Sequence, residues 1–281
     1  IMNKYSNIYG KTIILTGASS GIGEMAAKAL AEQGATLLLV ARREDELNRV
    51  VDDISRVGGQ ARAYVADLSE QASVEQCCQR LLDDNEQIDV LINNAGRSIR
   101  RSVKDSFERP HDFQRTMQLN YFGALYMMLG ILPHFVERDS GHVINVSSYS
   151  TLMPVPRYSA YIASKKALEG VTGSFAAELE PTGIDFSIIN YPLVRTPMST
   201  ATGIYKNIKM MEAEDAAEWL LRAVEKRPGR IAPKVGEAWA VATAALPGPT
   251  TRMTGKFMNY MAKRLSNKAS AKVESIRENN Q

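Results

Sequence analysis

A glycine-rich segment near the N-terminus places the tightest constraint on what this chain can fold into. The segment reads Thr16-Gly17-Ala18-Ser19-Ser20-Gly21-Ile22-Gly23, directly after the apolar run 12–15 and at the start of a helical pattern that continues to Gln33. A glycine turn between a strand and a helix presents backbone N–H groups to a pyrophosphate. The spacing therefore predicts a strand, a dinucleotide-binding turn and a helix, although glycines alone also fit a tight turn without a ligand.

Short apolar runs alternate with amphipathic helical stretches along most of the chain. Continuously apolar strands separated by helices are typical of a parallel sheet that is covered on both faces. We therefore predict an α/β fold: a doubly wound, mostly parallel sheet of the Rossmann type with helices on both faces. Its ligand should lie beyond the carboxyl ends of the strands. The predicted strands are 12–16, 36–41, 61–66, 90–93, 142–146 and 185–190.

Composition and charge exclude several other classes of protein. The chain has 281 residues, is 44% hydrophobic and carries a formal net charge of +3 without a sustained basic stripe, so nucleic acid is not an expected partner. Neither the adjacent Cys77 and Cys78 nor the histidines (His111, His134 and His142) have the spacing of a disulfide framework or a metal site. No apolar run reaches the roughly 18 residues of a membrane span, and the N-terminal residues lack the regions of a signal peptide. We therefore expect a cytoplasmic protein without a metal.

The sequence pattern changes towards the C-terminus. Residues 1–235 are predicted to form the dinucleotide-binding domain, including a lid at 198–227 that consists of a polar loop and a helix. Residues 236–281 are predicted to extend the same domain with a helix, a Pro-Gly-Pro turn and a tail rich in Met, Lys and Arg. This tail fits a packed helix with a frayed end. Alternatively, it is an amphipathic segment that makes peripheral contact with a membrane or with an acyl chain.

Tyr161 and Lys165 stand four residues apart in a helical stretch. Residues i and i+4 share one face of a helix, so the phenol and the ammonium can both point at one reacting carbonyl. A free tyrosine has a pKa of about 10, and a neighbouring ammonium is expected to lower that pKa towards the range useful for acid/base catalysis. Such pairs also occur by chance on solvated helices. Together with the glycine segment, however, the pair indicates nicotinamide-dependent hydride transfer.

These motifs resemble those of the short-chain dehydrogenase/reductase family over residues 10 to about 235. The segment Asn93-Asn94-Ala95-Gly96 follows the fourth predicted strand, and Ser148 lies 13 residues before Tyr161, which is the spacing of the family's Ser-Tyr-Lys triad. The resemblance implies that Tyr161 is the catalytic acid/base and that Ser148 stabilises charge on the substrate oxygen. It also implies that Lys165 holds the nicotinamide ribose and that Asn120 completes a water-linked proton path to the lysine.

The end of the second predicted strand indicates which cofactor is used. A site for NAD usually has an acidic residue there, which binds the ribose 2′-hydroxyl and repels a 2′-phosphate. This chain has Arg42 and Arg43 instead, and two guanidiniums suit a phosphate, so we expect NADPH. Leu193 stands where the family commonly has glycine, and it should restrict the loop after the sixth strand. The cofactor-binding residues implied by the resemblance are Gly17, Ser19, Ser20, Gly21, Ile22, Gly23, Arg42, Arg43, Asp67, Leu68, Asn94, Ala95, Gly96, Tyr161, Lys165, Pro192, Val194 and Thr196.

Segments 93–101, 116–123 and 192–198 are similar to bacterial fatty acyl-CoA reductases of this family. The similarity implies an NADPH-dependent reductase that acts on a fatty acyl-CoA, giving an aldehyde, or on a long-chain aldehyde. Arg97 and Arg195 are the candidate substrate residues; with Arg100 and Arg101 they follow strand ends and could meet coenzyme A phosphates, or serve only solubility. The alternatives are an NADPH-dependent ketone or alcohol oxidoreductase acting on another hydrophobic carbonyl, and a dinucleotide-binding scaffold without turnover.

Two apolar helical stretches, 120–136 and 159–179, bear on assembly. They carry more apolar residues than one sheet face needs to cover them. Family members pair these helices between subunits, and so we expect a homodimer or homotetramer.

Overall fold

The predicted parallel sheet is present, with one strand more than the sequence indicated. The computed structural model describes residues 5–201, 205 and 208–260. The strands are β1 (Thr12–Thr16), β2 (Thr36–Ala41), β3 (Gln60–Val65), β4 (Val90–Asn93), β5 (Gly141–Ser148), β6 (Ile184–Tyr191) and β7 (Arg230–Ile231). Their order across the sheet is β3-β2-β1-β4-β5-β6-β7, with every neighbouring pair parallel. The strand order therefore reverses between β1 and β4, which is where doubly wound sheets bind their ligands.

The strand boundaries follow from burial on both faces of the sheet. Ile13, Ile14 and Leu15 of β1 are all fully buried, as expected for a continuous apolar run in a covered parallel sheet. Strands β1, β2 and β4 have their predicted bounds, β3 begins and ends one residue early, and β5 and β6 are longer than predicted. The sequence does not predict β7, because two residues carry no readable period.

Helices cover both faces of this sheet. Side chains of α1, α2 and α8 form one core with one face, while those of α3, α5 and α6 form a second core with the other. In α2, Leu47, Val50 and Ile54 recur at helical spacing and are buried, so that helix shows one apolar stripe to the sheet. The bounds are α1 (Gly21–Glu32), α2 (Glu44–Arg56), α3 (Gln71–Asp83), α4 (Pro110–Met117), α5 (Ala124–Glu137), α6 (Ser159–Glu178), α7 (Pro197–Thr200), α8 (Ala213–Lys226) and α9 (Lys234–Ala245).

Helices α4 and α5 are joined without a break by a π-helical turn, Gln118–Gly123. The resulting 28-residue helix is long and apolar enough to cross a membrane by length and composition alone, which the sequence analysis did not anticipate. Its Met127, Ile131 and Phe135, however, are fully buried in the core beneath the sheet. We therefore assign the helix to the core of the domain.

The C-terminal part is more helical than predicted. Residues 247–260 are helical, so the Pro-Gly-Pro segment begins a helix instead of forming the predicted turn. Proline fits there because the first helical turn does not need its N–H. The lid contains α7 and α8, but 202–204 and 206–207 lie outside the described residues, as does the tail from 261 onward. The boundary at residue 235 stays a prediction.

Buried His142 should make the stability of the fold depend on pH. Its Nε2 lies 2.8 Å from Ser187 Oγ, which donates to the carbonyl of Pro228, so Nε2 carries a proton. Nδ1 is buried and has no hydrogen-bond partner among the described residues, which suits a neutral ring. Burial lowers the pKa of His142 to about 3, whereas an unfolded histidine has a pKa of about 6.5. As the pH falls below 6.5, His142 binds a proton in the unfolded chain but stays neutral in the folded chain. The free energy of unfolding should therefore fall by about 2 kcal/mol from pH 7 to pH 5.

Urea unfolding at the two pH values measures this difference. His142→Gln should lose most of it, whereas His111→Gln, which replaces an exposed histidine, should keep it. An unchanged difference in the His142 variant would contradict the assignment.

Candidate active site

The glycine segment lies at the carboxyl end of β1, tightly packed against the loop after β4. Gly17 and Gly21 have φ values of +67° and +59°, which favour glycine. A Cβ on Gly17 would lie 2.8 Å from the Ala95 Cα, and one on Gly23 would lie 2.3 Å from the Gly17 carbonyl oxygen. These residues thus form a turn that only glycine permits, at the N-terminus of α1. Such a turn fits the pyrophosphate of a dinucleotide.

Thr16 and Asn94 hold the glycine turn in place from behind. Thr16 Oγ1 accepts hydrogen bonds from the N–H groups of Asn94 and Ala95, both at 3.0 Å. Asn94 Nδ2 donates to the carbonyls of Thr16 at 3.0 Å and Gly17 at 3.3 Å. Asn94 was predicted to bind the cofactor, and its side-chain amide instead donates hydrogen bonds that support the turn. Thr16 was not predicted as a site residue, although a hydroxyl between an apolar strand and a glycine is a signal that the sequence offers.

The loop after β6 closes the site on the opposite side. Thr196 Cγ2 would lie 3.1 Å from a Cβ on Gly21, so this loop approaches the glycine turn closely. Leu193 accepts a hydrogen bond from the N–H of Met211 at 2.9 Å, and Val194 pairs with Met211 in an isolated parallel bridge. Among the described non-glycine residues, positive φ values occur only at 139, 157 and 227. The backbone at Leu193 therefore needs no glycine, and the leucine is accommodated by this pairing.

The two arginines after β2 are exposed and only loosely paired. Arg42 Nη1 lies 3.4 Å from Asp67 Oδ2, and Arg43 Nη1 lies 3.8 Å from Glu46 Oε1. Their side chains are 73% and 55% exposed, where ion pairs contribute little and exchange readily. Both guanidiniums are therefore available to donate hydrogen bonds to a phosphate. Asp67 is held by Ser69, whose N–H and hydroxyl both donate to Asp67 Oδ1.

The other predicted cofactor-binding residues also lie at this edge of the sheet. They belong to the turn after β1 or to the loops after β3, β4 and β6, all of which begin at carboxyl ends of strands. Parallel strands bring these loops together. The residues are Ser19, Ser20, Ile22, Leu68, Gly96 and Pro192.

The Ser148 hydroxyl lies near enough to the Tyr161 phenol to lower the pKa of that phenol. Ser148 ends β5, and its Oγ accepts from the N–H of Ser150 at 3.2 Å and from its hydroxyl at 2.9 Å. The Ser148 proton is therefore free to be donated towards Tyr161 or a substrate oxygen.

Burial raises the pKa of Tyr161, and the nearby Ser148 hydroxyl opposes this only in part. The expectation that the Lys165 ammonium lowers this pKa is wrong, because the ammonium points elsewhere: Lys165 Nζ donates to the Val146 carbonyl at 2.7 Å. Tyr161 thus keeps its proton near neutral pH. A protonated phenol suits a group that must donate a proton during a reduction.

Lys165 is buried between β5 and the loop after β4. Burial lowers the pKa of Lys165 to about 8, and the negative charge of Glu169 opposes this effect. A Cβ on Gly96 would lie 3.4 Å from Lys165 Nζ, so glycine keeps this loop close to the lysine. The lysine therefore titrates near the working range of an enzyme.

Asn120 lies in the π-helical turn and is fully buried. Its Oδ1 accepts from the N–H of Arg97 at 2.8 Å, and its Nδ2 donates to the Arg97 carbonyl at 2.9 Å and to Ser164 Oγ at 3.0 Å. π-Helical turns are frequent at functional sites because they re-aim a side chain. Here the amide joins the loop after β4 to α6, while its role in a proton path stays a prediction.

The arginines predicted to meet a substrate are in three different situations. Arg97 is exposed beside the site. Arg195 Nε donates to both oxygens of Glu212, at 3.0 and 3.1 Å, on the surface. Arg101 Nε lies 2.7 Å from Oδ2 of the buried Asp112, so Arg101 supports local structure. Of the two candidate substrate residues, Arg195 is thus held in an ion pair, whereas Arg97 has none with the described residues.

Comparison with known proteins adds a family to this geometry. A family model described as short chain dehydrogenase matches residues 11–205. A "Fatty acyl-CoA reductase" from Acinetobacter baylyi is 45% identical over 241 residues, covering 86% of this chain and 82% of that protein. A "Fatty acyl-CoA reductase" from Mycobacterium tuberculosis is 41% identical over 265 residues, covering 92% of this chain and 87% of that protein.

Solved structures agree with these matches. A metagenomic short-chain oxidoreductase in complex with NADP has a TM-score of 0.69 at 26% identity, covering 81% of this chain and 98% of that one. A short-chain type dehydrogenase/reductase from Mycobacterium marinum has a TM-score of 0.74 at 26% identity, covering 80% of this chain and 94% of that one. The doubly wound fold and the resemblance found from the sequence are thereby confirmed.

Proposed function

The chain belongs to the short-chain dehydrogenase family and is an oxidoreductase, and we propose that it is an NADPH-dependent reductase of fatty acyl thioesters. One observation supports the chemistry above all: the Ser148 hydroxyl and the protonated Tyr161 phenol lie near each other, at the edge of the sheet that carries the glycine turn. Acyl-CoA is favoured over other carbonyl compounds by the names of the two relatives that are 45% and 41% identical.

The residues present fit NADPH. The glycine turn at the N-terminus of α1 would hold the pyrophosphate, and Arg42 and Arg43 would hold the 2′-phosphate. Lys165 would hold the nicotinamide ribose. When bound, NADPH supplies the hydride that reduces the carbonyl carbon.

The side chains of the site would handle the oxygen of the substrate. Tyr161 donates its proton to the carbonyl oxygen, while Ser148 stabilises that oxygen as negative charge develops on it. The product of this step is a hemithioacetal, and its collapse breaks the carbon–sulfur bond to release an aldehyde and a free thiol.

The assembly and location are part of the same proposal. Leu129 and Val136 of α5 are 53% and 50% exposed, which supports contact between copies of the chain as a homodimer or homotetramer. A cytoplasmic location and peripheral membrane contact through the C-terminal segment also remain proposals.

The substrate prediction is tested by following NADPH consumption and thiol release together. With palmitoyl-CoA both should occur. One NADPH should be consumed per thiol released if reduction stops at the aldehyde, and two NADPH per thiol if it continues to the alcohol. Octanoyl-CoA, decanal and a steroid ketone form the comparison panel. Tyr161→Phe is the control for consumption that does not use the site.

Two outcomes would favour the rival functions. Activity on the aldehyde or ketone without thiol release from either acyl-CoA would indicate a general carbonyl reductase. NADPH binding without consumption on any member of the panel would indicate a scaffold.

A further inference from the structure

A buried hydrogen-bond cluster lies behind the catalytic side chains, and Glu169 is at its centre. Glu169 is one helical turn after Lys165 on α6, and its side chain is only 9% exposed. Its Oε1 accepts three hydrogen bonds: from Ser147 Oγ at 2.5 Å, from Thr151 Oγ1 at 2.6 Å and from Asn190 Nδ2 at 2.7 Å. One carboxylate oxygen thus joins α6 to the ends of β5 and β6.

These contacts surround the segment that carries Ser148. Ser147 precedes Ser148 in β5, and Thr151 ends the 3-10 turn (Tyr149–Thr151) that Ser148 caps. The Ser148 carbonyl itself accepts from Asn190 Nδ2 at 3.1 Å, and it lies 2.7 Å from Thr151 Oγ1, whose single proton is shared between this carbonyl and Glu169. The backbone on both sides of Ser148 is therefore fixed by groups that Glu169 orients.

The charge of Glu169 also reaches the site. Burial lowers the pKa of Lys165, and the negative charge of Glu169 raises it. Arg230 of β7 forms an ion pair with Glu169, with 3.5 Å between Arg230 Nη1 and Glu169 Oε2, and Lys166 of α6 lies in the lining of the surface cavity that Glu169 also lines. Together with Glu237 of α9 they line this cavity of about 390 Å³, which gives the carboxylate access to solvent on that side.

We propose that Glu169 is a positioning residue of this active site: it fixes the segment that presents Ser148 and sets the charge balance around Lys165. The proposal rests on the proposed reductase function only for its activity measurements. A buried carboxylate without hydrogen-bond donors is costly. The hydroxyl and amide groups from three elements therefore stabilise Glu169 in its buried position.

Glu169→Gln separates the two roles, because glutamine keeps an acceptor oxygen but removes the charge. Loss of the charge should lower the pKa of Lys165 by about one pH unit, the low end of what a neighbouring opposite charge causes. The alkaline limb of the kcat/KM profile should move down accordingly. Activity should then be within twofold of the unaltered protein at pH 6 and about fivefold lower at pH 8, with the difference in kcat more than in KM.

Arg230→Gln is the complementary variant and should act in the opposite direction. Removing that cation leaves the charge of Glu169 less balanced, so the alkaline limb should move to higher pH. Arg230 lies on the edge strand with its side chain 36% exposed, so this variant tests the proposal even if Glu169→Gln folds poorly. Glu237→Gln removes another carboxylate from the same cavity and is the matched control, expected to leave the profile unchanged.

A second readout does not depend on any substrate. Lysine side-chain NMR follows the titration of Lys165 directly, with Lys165→Arg identifying its signal. The midpoint should fall in Glu169→Gln, rise in Arg230→Gln and stay in place in Glu237→Gln. Coincident midpoints in all of these proteins would overturn the proposal whether or not acyl-CoA is the substrate, whereas shifted midpoints without acyl-CoA activity would overturn only the proposed function.

Discussion

Tyr161→Phe should lower turnover by at least the roughly 100-fold typical of losing a general acid, while leaving NADPH affinity nearly intact. The substitution removes the phenolic hydroxyl, which lies near Ser148, but keeps the aromatic ring. Because burial raises the pKa of Tyr161, the protonated form predominates near neutral pH and is the form that turnover uses. Steady-state reduction assays and fluorescence titration with NADPH measure the two quantities separately.

Two comparisons make this result specific. Tyr64→Phe also removes a buried hydroxyl whose pKa is raised by burial, but Tyr64 lies in β3, and its hydroxyl contacts Asp84. That variant should keep its turnover. Lys165→Ala should impair both turnover and NADPH binding, because Lys165 is assigned to the nicotinamide ribose and hydride transfer requires the nicotinamide to be held in place. If Tyr161→Phe retained most of its turnover, the assignment of the acid would be wrong.

The fold was readable from the sequence because its signals are local and strong. Each of β1, β2 and β4 is an uninterrupted apolar run bounded by polar residues or glycine, and a strand buried on both faces requires such a run. The two-residue β7 has no such pattern, and its existence depends on pairing with β6. The helix at 247–260 begins at a Pro-Gly-Pro sequence, which is ambiguous locally because proline suits both a turn and the first turn of a helix.

The sequence predicts those features of the site that depend only on the spacing between residues. The four-residue separation of Tyr161 and Lys165 and the position of Ser148 at a strand end follow from helical and strand geometry. The direction of the Tyr161 pKa did not follow, because it depends on how deeply the phenol is buried and on where the ammonium points. Glu169 shares the helix face of Lys165 by the same four-residue rule, but its three donors come from residues far apart in sequence and only the fold brings them together.

NADPH should bind more tightly than NADH by roughly 1.5 to 3 kcal/mol, which is about 10- to 150-fold in affinity. The difference arises because Arg42 and Arg43 can form charge-assisted hydrogen bonds to the 2′-phosphate, a group that NADH lacks. Their present partners are weak competitors, since the ion pairs to Asp67 and Glu46 are 3.4 and 3.8 Å long and lie on the surface.

Arg42→Asp combined with Arg43→Ala should reverse this preference, because the new carboxylate can accept from the ribose 2′-hydroxyl of NADH and repels a 2′-phosphate. Arg56→Ala is the matched control. Arg56 is an exposed arginine at the C-terminal end of α2, the helix that follows Arg42 and Arg43, and it is paired with Asp53 at 2.6 Å. Calorimetric titration of the unaltered protein and of both variants with each cofactor measures the effect, and raising the salt concentration should narrow the gap only where the phosphate contact exists. Equal affinity of the unaltered protein for NADPH and NADH would show that the two arginines are ordinary surface charges, and the identity of the reductant would then have to be sought elsewhere in the site.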